Sequence, residues 1–345
     1  MSAGTIAPTS HAPTLRDIAR LAGIAPITAS RILNGNPSNT PIAGETRQRV
    51  ERIARELGYQ PDATARAMRQ RRTQQVGVVV ANDPDNPLTN LAAYEYILGI
   101  NAGLEPLGLV VSLVRRSDVE GHPERIRAFE ERMFDAFIVI SHLSSSDITR
   151  LRGGRSRVVW LDTNQDDAVG CLRRDEHAAG RSAAGLLIDH GRRRILWPQR
   201  HAYELSHYSH HGREAGARAA CRDAGVEFVP FQLERDFVLA KADASRFLRV
   251  VADPAVGLLL SDPQLTRWAL YRLALAGLVP GRDLGLASCD SDHPINLLWP
   301  GLSRVEVQRE ALGRQAAAMV ASYITDGTAP PSVTVRSAFV TGETA

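Results

Sequence analysis

The sequence predicts a small all-α head followed by a larger α/β body of parallel sheets. Two short runs with helical spacing of apolar residues flank Gly23, and a third such run ends at Gly58. From Val76 onward, short β-rich runs alternate with helix-length stretches, a pattern typical of parallel sheets covered by helices. The length of 345 residues is enough for two or three domains with buried cores.

The head begins with a short amphipathic helix after Thr14. Asp17 follows three residues later, so that a hydroxyl and a carboxylate can satisfy free amides of the first turn. Gly23 permits a sharp turn, and a second helix is expected over about 26–33. Two helices joined by a tight glycine turn predict a helix-turn-helix motif. A third helix, over about 45–57, is expected to complete a core that no pair of them can form.

The positive charge of the chain is concentrated in the head. Residues 1–75 carry eleven arginines and five acidic residues, a net charge of +6, whereas the other 270 residues carry a net charge of −3. A basic head on a slightly acidic body indicates a polyanionic partner. The second helix follows Ala25, which has no capping side chain, so its first amides can face a phosphate. The alternatives are a solvated helical surface and a helical hairpin used for protein contact.

The body is expected to hold two α/β subdomains, because its alternation of strands and helices is too long for one modest sheet. No G-x-G-x-x-G follows the first strand and no phosphate-loop motif is present, so nucleotide binding is not predicted. The sequence shows no serine elbow, no recognisable pair of catalytic acids and no zinc signature. We therefore expect no enzyme activity and no cofactor, and a small ligand beyond the carboxyl ends of the strands.

The cysteines, histidines and apolar runs of the chain indicate its cellular compartment and whether it binds a metal. Cys171, Cys221 and Cys289 are scattered, which indicates a reducing compartment and buried thiols. Neither a signal peptide nor a membrane span is predicted, so we expect a cytoplasmic protein. His207 and His211 have the spacing of two metal ligands on one helix face, but no acidic or cysteine partner is near them in sequence. An exposed loop is the favoured interpretation of this region.

Two segments of the head carry a dense motif. “TLRDIARLAGIAPITASRILNG” is followed by “TRQRVERIARELGYQPDATARAMRQRRTQQVGVVV”. They resemble the lactose/galactose-repressor (LacI) family of transcriptional regulators, whose pattern is T-L-x-D-[VI]-A-x-x-A-G-[VI]-S-x-x-T-V-S-R-x-L-N-G, continued by T-R-x-[RK]-V and L-G-Y-x-P-N-x-x-A-R-x-L. The chain departs from this pattern at Ala25 and Ala43, where serine caps are usual, and in a longer loop before the third helix.

The resemblance implies that the second helix enters the major groove of DNA, with Pro26, Ile27 and Arg31 facing the bases. Arg31 can donate two hydrogen bonds to guanine, and Ile27 can contact a thymine methyl group. Thr28 and Ser30 are also expected on the outward face of this helix, where they suit phosphate contact or helix packing. The DNA-binding set predicted for the head is completed by Thr14 and Asn34.

The segment over 61–73 is expected to be a hinge. In the family, the matching segment becomes a helix only when two subunits lie on an operator, and a leucine there inserts into the minor groove. Met68 occupies the leucine position, and Arg66 and Arg69 are expected to meet phosphates or the minor groove. The segment is too short and too basic to fold alone, and an ordinary flexible linker is the alternative.

The body resembles a periplasmic-binding-protein-like core, in which three strands cross between two lobes around a cleft. The segments “ANDPDNPL”, “GRRRILWPQ” and “PGLSRVEVQREALGRQAAAMV” follow family motifs. The predicted organisation is a disordered tail over 1–12, a helix-turn-helix domain over 13–60, the hinge over 61–73, and a core over 74–345. Within the core, the N-subdomain is predicted over about 74–161 and 291–323, and the C-subdomain over about 162–290 and 324–341.

The resemblance also implies an effector site in the cleft. Asp162, Asp290 and Arg213, which opens an R-x-x-G motif, match family positions that bind ligand. Two carboxylates with one guanidinium suit the adjacent hydroxyls of a polyol. The same set includes three positions that depart from the family, since an aromatic shelf and an asparagine are usual there: Leu88, Thr89 and Ser261.

Together these features predict a sequence-specific DNA-binding transcriptional regulator, a repressor that binds a pseudo-palindromic operator as a homodimer. A sugar-like effector in the cleft is expected to change its operator affinity. A corepressor-dependent or effector-independent regulator with a degenerate pocket is one alternative. A solute-binding protein without a DNA role is another, but it would need an export signal and no basic head.

Overall fold

The computed structural model of the protein describes residues 13–33, 41–60, 72–80, 89–115, 133–140, 143, 145–153, 156–199, 207–234 and 241–345. The chain divides into two compact units, Met1–Thr73 and Gln74–Ala345, which we call the head and the body. The predicted tail, Asn34, the hinge residues 61–71 and Leu88 lie outside the described residues.

The described residues of the head form three helices: α1 (Leu15–Ala22), α2 (Pro26–Leu33) and α3 (Gly44–Glu56). The predicted capping box of α1 is confirmed, because the Thr14 hydroxyl accepts from the Asp17 amide at 3.3 Å and the Asp17 carboxylate accepts from the Thr14 amide at 3.0 Å. Gly23 has a φ of 65°, a left-handed conformation that favours glycine. All three helices contribute to one apolar core, formed by Ile18, Ala19, Ala22, Ala29, Ile32, Val50, Ile53 and Ala54.

The described residues of the body form two six-stranded sheets. In the first sheet all strands are parallel, and their spatial order is β11-β5-β4-β3-β1-β2. Its strands are β1 (Gln75–Val80), β2 (Val110–Arg115), β3 (Ala136–Val139), β4 (Arg157–Leu161), β5 (Cys171–Arg174) and β11 (Val333–Val335). Its described helices are α4 (Thr89–Leu104), α5 (Ser145–Gly153) and α11 (Arg309–Asp326).

The second sheet has the order β12-β10-β9-β8-β6-β7, and only the edge strand β12 pairs antiparallel. Its strands are β6 (Arg194–Gln199), β7 (Glu227–Gln232), β8 (Val256–Leu260), β9 (Gly285–Ser288), β10 (Ser303–Glu306) and β12 (Ala338–Val340). The accompanying helices are α6 (Glu176–Asp189), α7 (Tyr208–Ala224), α8 (Lys241–Val251), α9 (Pro263–Leu275) and α10 (His293–Leu298).

The chain crosses between the sheets three times: after β5, after β10 and after β11. The crossings lie at other positions than the predicted subdomain boundaries. Residues 171–174 and 333–335 pair in the first sheet, although the prediction places them with the second, and residues 303–306 pair in the second sheet, although the prediction places them with the first. Strand pairing across a sheet is a long-range choice that local periodicity does not encode.

The strands are buried as parallel sheets require. Every residue of β3, β8 and β9 is buried, because helices cover both faces of each sheet. Cys171, Cys221 and Cys289 are buried and unpaired, as predicted. Among the described residues, no helix combines the length and the apolar character that a membrane crossing needs.

A candidate DNA-binding helix and a buried charge network

The exposed face of α2 carries the three positions predicted to meet DNA bases. Pro26 is exposed, and Ile27 exposes 71% of its surface, an unusual fraction for isoleucine. Arg31 is half-exposed, and it makes no hydrogen bond or ion pair among the residues that the structure describes. These side chains are therefore available to a partner of the head.

Two other α2 positions differ from one another in exposure. Thr28 is partly exposed, like Arg31, whereas Ser30 is only 6% exposed. The prediction that Ser30 faces outward is therefore wrong. Successive helix residues are about 100° apart, so Ser30 stays on the core side beside Ala29, and its small side chain fits there. Helix packing is the role that the structure supports for Ser30.

Of the remaining residues predicted to contact DNA, the structure describes only Thr14. Thr14 is exposed, but its hydroxyl already takes part in the capping box. Ala43 precedes α3 without a side-chain cap, as its methyl group requires. Asn34, Arg66, Met68 and Arg69 lie outside the described residues.

Four of the predicted effector residues come together in the body. Arg213 is 1% exposed, and its Nη1 donates to the Ser261 carbonyl oxygen at 2.6 Å. Its Nη2 donates to the Asp290 carboxylate at 2.7 Å. Asp162 joins this group through Arg174, which donates to the carboxylates of both Asp162 and Asp290. Thr89 begins α4 and its side chain is not described, so its predicted role stays a prediction.

The topology explains this convergence. Asp162, Ser261 and Asp290 each follow the carboxyl end of a strand, namely β4, β8 and β9, where ligand sites form in parallel sheets. Arg213 arrives from α7 because Gly216 lets this helix approach α6. A Cβ at Gly216 would lie 2.0 Å from the carbonyl oxygen of His177. The glycine of the R-x-x-G motif thus positions its arginine.

Sequence reasoning missed several members of the network. Glu176 accepts from Arg213 at two points, with distances of 2.6 Å to Nε and 3.0 Å to Nη2. Arg309 donates to Asp290 at 2.6 Å, and Arg174 donates to Glu176 at 2.9 Å. All three residues are at most 6% exposed. The available signal was a charged residue at the end of a strand that begins with two buried apolar residues, Cys171 and Leu172.

Asp162 is ionised, and both of its carboxylate oxygens accept hydrogen bonds from neighbouring side chains. Its oxygens accept from the hydroxyls of Tyr96 and Tyr208, at 2.8 and 2.7 Å, as well as from Arg174. Burial by itself would raise the pKa of this carboxyl group, but the charge of Arg174 and the hydrogen bonds from Tyr208 and Arg174 together outweigh burial and hold the pKa of Asp162 below its ordinary value. Burial and the Asp162 charge raise the pKa of Tyr96, whose hydroxyl therefore stays a donor.

Asp290 is ionised for the same reason. Burial opposes ionisation, but Arg309, Arg213 and Arg174 surround the carboxylate and hold the pKa of Asp290 well below its ordinary value. Among the described residues, the network thus contains three guanidinium groups and three carboxylates, and all are buried except Asp162, whose side chain is 11% exposed. Groups of this kind bind and orient polar partners, and they are poor proton donors or acceptors near neutral pH.

The structure corrects the prediction for His207. This residue is half-buried and caps α7, and its Nε2 lies 2.8 Å from the Asp162 carbonyl oxygen. Burial lowers the pKa of His207, which favours the neutral ring. The predicted exposed loop is therefore wrong at this position. His211 is exposed, and no cluster of three metal-ligating side chains was found among the described residues.

Family models of known proteins match both the head and the body of this chain. A model described as “Bacterial regulatory proteins, lacI family” matches residues 14–62, and one described as “Periplasmic binding proteins and sugar binding domain of LacI family” matches residues 73–244. A “Periplasmic binding protein-like domain” model matches residues 184–345. The HTH-type transcriptional regulator GntR of Pseudomonas aeruginosa is 28% identical over 324 residues, covering 92% of this chain and 90% of its own.

Solved structures share the fold. The lac repressor dimer bound to operator and the anti-inducer ONPF has a TM-score of 0.78 at 17% identity, covering 97% of this chain and 99% of its own. The complex of the transcriptional regulator CelR with cellobiose has a TM-score of 0.63 at 22% identity, covering 96% and 100%. Because two LacI-family models together match well over half of the residues, this chain belongs to the LacI family of bacterial transcriptional regulators.

Proposed function

We propose that this chain is a sequence-specific DNA-binding repressor that binds a pseudo-palindromic operator as a homodimer. The accessible face of α2 carries the proposal, because Pro26, Ile27 and Arg31 lie together on a basic head of the LacI family. A helix of this kind reads base edges in the major groove through a few side chains near its start. Operator DNA is reached in the cytoplasm, which is where we place the protein.

A gel shift tests this role. The full-length protein is titrated onto its own upstream DNA and onto a random duplex of equal length. Arg31→Ala is expected to weaken specific binding by about 1–3 kcal/mol while non-specific binding survives. Arg55→Ala, which removes an exposed arginine of α3, serves as the matched control. Equal losses on both duplexes would reduce Arg31 to a phosphate contact, and no preference for any inverted repeat would refute the proposal.

Exposed apolar side chains on the body support self-association. On α9, Tyr271 and Leu275 expose 58% and 65% of their surface, and on α10 Leu297 and Leu298 expose 71% and 63%. Tyr271 and Leu275 are four residues apart and therefore lie on one face of α9, and exposed apolar groups that lie together mark interaction sites in soluble proteins. We infer that a second copy covers them. Sedimentation analysis of wild type and of Leu275→Glu is expected to show a dimer and a shift toward monomer, respectively.

We further propose that a sugar-like effector binds where Asp162, Arg213 and Asp290 converge. The CelR structure shows cellobiose bound to a protein of this fold. A thermal-shift screen of sugars and sugar acids, followed by gel shifts with each hit, tests this role. Asp290→Ala is expected to abolish the response while operator binding remains. An unaltered response would remove Asp290 from the site.

One observation favours a second candidate, a regulator without a sugar effector. The carboxylates of Asp162 and Asp290 already accept hydrogen bonds from arginine, tyrosine and backbone groups within the protein. A regulator that always holds its DNA-binding form would need no ligand to complete this network. Failure of every sugar and sugar acid in the screen, together with sequence-specific DNA binding, would favour this candidate.

A further inference from the structure

The residues predicted to hold an effector leave little capacity for one. Each Asp162 oxygen accepts from one tyrosine hydroxyl and from Arg174, at distances of 2.7 to 3.1 Å. The Asp290 oxygens accept from three arginines and from the Ser291 amide, at 2.6 to 3.4 Å. A carboxylate offers about four acceptor sites, so both groups are saturated. A polyol that binds to them must displace a donor that is already there.

Arg174 is the donor that joins the carboxylates to one another. Its Nε and Nη2 lie 3.1 and 2.9 Å from the two oxygens of Asp162, a two-point contact. Its Nη2 also lies 2.9 Å from Glu176, and its Nη1 lies 3.4 Å from Asp290. Two adjacent hydroxyls of a sugar would donate to a carboxylate in the same two-point manner. The guanidinium group thus makes the contacts that a bound polyol would make.

Arg174 also connects the two sheets. It is the last residue of β5 in the first sheet, as Asp162 follows β4 of that sheet, whereas Asp290 follows β9 of the second sheet. The contact to Asp290 therefore spans the region where the chain passes from one sheet to the other. With a side-chain exposure of 5%, Arg174 is shielded from water, which makes its ion pairs stronger than surface pairs.

Two buried polar atoms beside Asp290 remain without partners among the described residues. They are Nε of Arg309 and Oγ of Ser291. A ligand hydroxyl can accept from the first and can either donate to or accept from the second. These atoms offer a ligand a first contact next to the carboxylate that Arg174 contacts.

We propose that Arg174 is an internal competitor of the effector, a tethered guanidinium that holds Asp162 and Asp290 until a polyol displaces it. This inference rests on the proposed effector site and adds that displacement of Arg174 sets the affinity of that site for an effector. A ligand that binds only a minor, displaced state has its apparent affinity reduced by the population of that state. Arg174 therefore selects against neutral sugars, and its removal exposes two carboxylates to them.

The test compares sugar binding by wild type and Arg174→Ala in the full chain. The probes are neutral sugars, namely sucrose, cellobiose, maltose, trehalose and ribose, screened by thermal shift and then titrated by calorimetry. Arg174→Ala is expected to bind at least one probe at least tenfold more tightly than wild type does. A variant that binds every probe equally, more weakly or not at all overturns the inference.

Two further variants keep the test decisive. Arg174→Ala combined with Glu176→Gln removes one positive and one negative charge, so it preserves the charge balance if the single variant does not fold. Arg304→Ala removes another buried arginine, which is 8% exposed and contacts Glu306 and two backbone carbonyls away from these carboxylates. Arg304→Ala is expected to lower the melting temperature without any gain in sugar binding. An equal gain in both variants would indicate general loosening and would overturn the inference.

Failure of this inference is distinguishable from failure of the proposed function. DNA binding is read by gel shift without any sugar, whereas the competitor role is read by sugar affinity without any DNA. If wild type binds a neutral sugar as tightly as Arg174→Ala does, Arg174 is not a competitor of the effector. The proposed repressor function is unaffected by that result.

Discussion

Replacing Asp290 with alanine tests whether the buried charge network stabilises the body. Asp290 is 4% exposed and accepts from Arg174, Arg213, Arg309 and one backbone amide. Without it, three buried guanidinium groups share two carboxylates. The uncompensated positive charge has no route to water, and its desolvation is no longer offset by an ion pair.

The size of the effect follows from burial. Removing one partner of a buried ion pair costs about 3–5 kcal/mol of unfolding free energy. The matched control is Glu310→Ala, which breaks the pair between Glu310 and Arg314 on α11. That pair has a distance of 2.8 Å, close to the 2.6 Å between Asp290 and Arg309, but both of its side chains are 51% exposed. A solvated helix pair contributes only about 0.3–0.5 kcal/mol.

Tryptophan fluorescence during urea unfolding measures the difference. The four tryptophans of the chain are all in the body, so the signal reports the body without a contribution from the head. Asp290→Asn keeps the side-chain shape and removes the charge, and we expect its loss to lie between those of the two alanine variants. If Asp290→Ala costs less than about 1 kcal/mol, or no more than Glu310→Ala, the network does not stabilise the body and the reasoning is refuted.

Three further outcomes are expected. Gly216→Ala is expected to lower the unfolding free energy in urea titrations by about 1–3 kcal/mol, because its Cβ would lie 2.0 Å from the His177 carbonyl oxygen. The control is Gly185→Ala, whose Cβ would meet nothing within 4 Å, and we expect it to be neutral or stabilising. Because the pKa of His207 is lowered in the folded state, the unfolded chain binds more protons, and the unfolding free energy falls as pH drops below about 6.5. His207→Gln is expected to flatten this dependence in unfolding curves at pH 5 to 7. An unchanged slope would contradict the prediction. Thr14→Ala lowers the protection of α1 amides in hydrogen exchange by about 1 kcal/mol, with α3 amides as the internal reference.

Local patterns in the head were sufficient to predict its elements. The Thr14 capping box, the left-handed Gly23 and the three helix positions depend on contacts within a few residues, and each is confirmed. Ser30 is the exception, because a small side chain at the margin of a helix face is placed by the packing of its neighbours. The body's strands over 75–80 and 194–199 were likewise evident from apolar runs.

The candidate site was only half predictable. Asp162 and Asp290 were found because they match family positions directly after apolar strands, and Arg213 because it opens a motif. Arg174 and Glu176 were missed because, apart from their contact with each other, their partners are 12 to 116 residues away along the chain. Nothing in the local sequence states that an arginine at the end of a strand will meet a carboxylate of another sheet.

The amino-acid sequence alone determined the helix-turn-helix head, the alternation of strands and helices, and the kind of polar residue that follows each strand, because periodicity, capping and turn chemistry act over a few residues. The tertiary structure decided which strands share a sheet and that the carboxylates predicted to bind a ligand are paired with arginines of the same chain. Those outcomes depend on which distant segments are brought together when the sheets form, and on the high cost of leaving a buried charge without a partner.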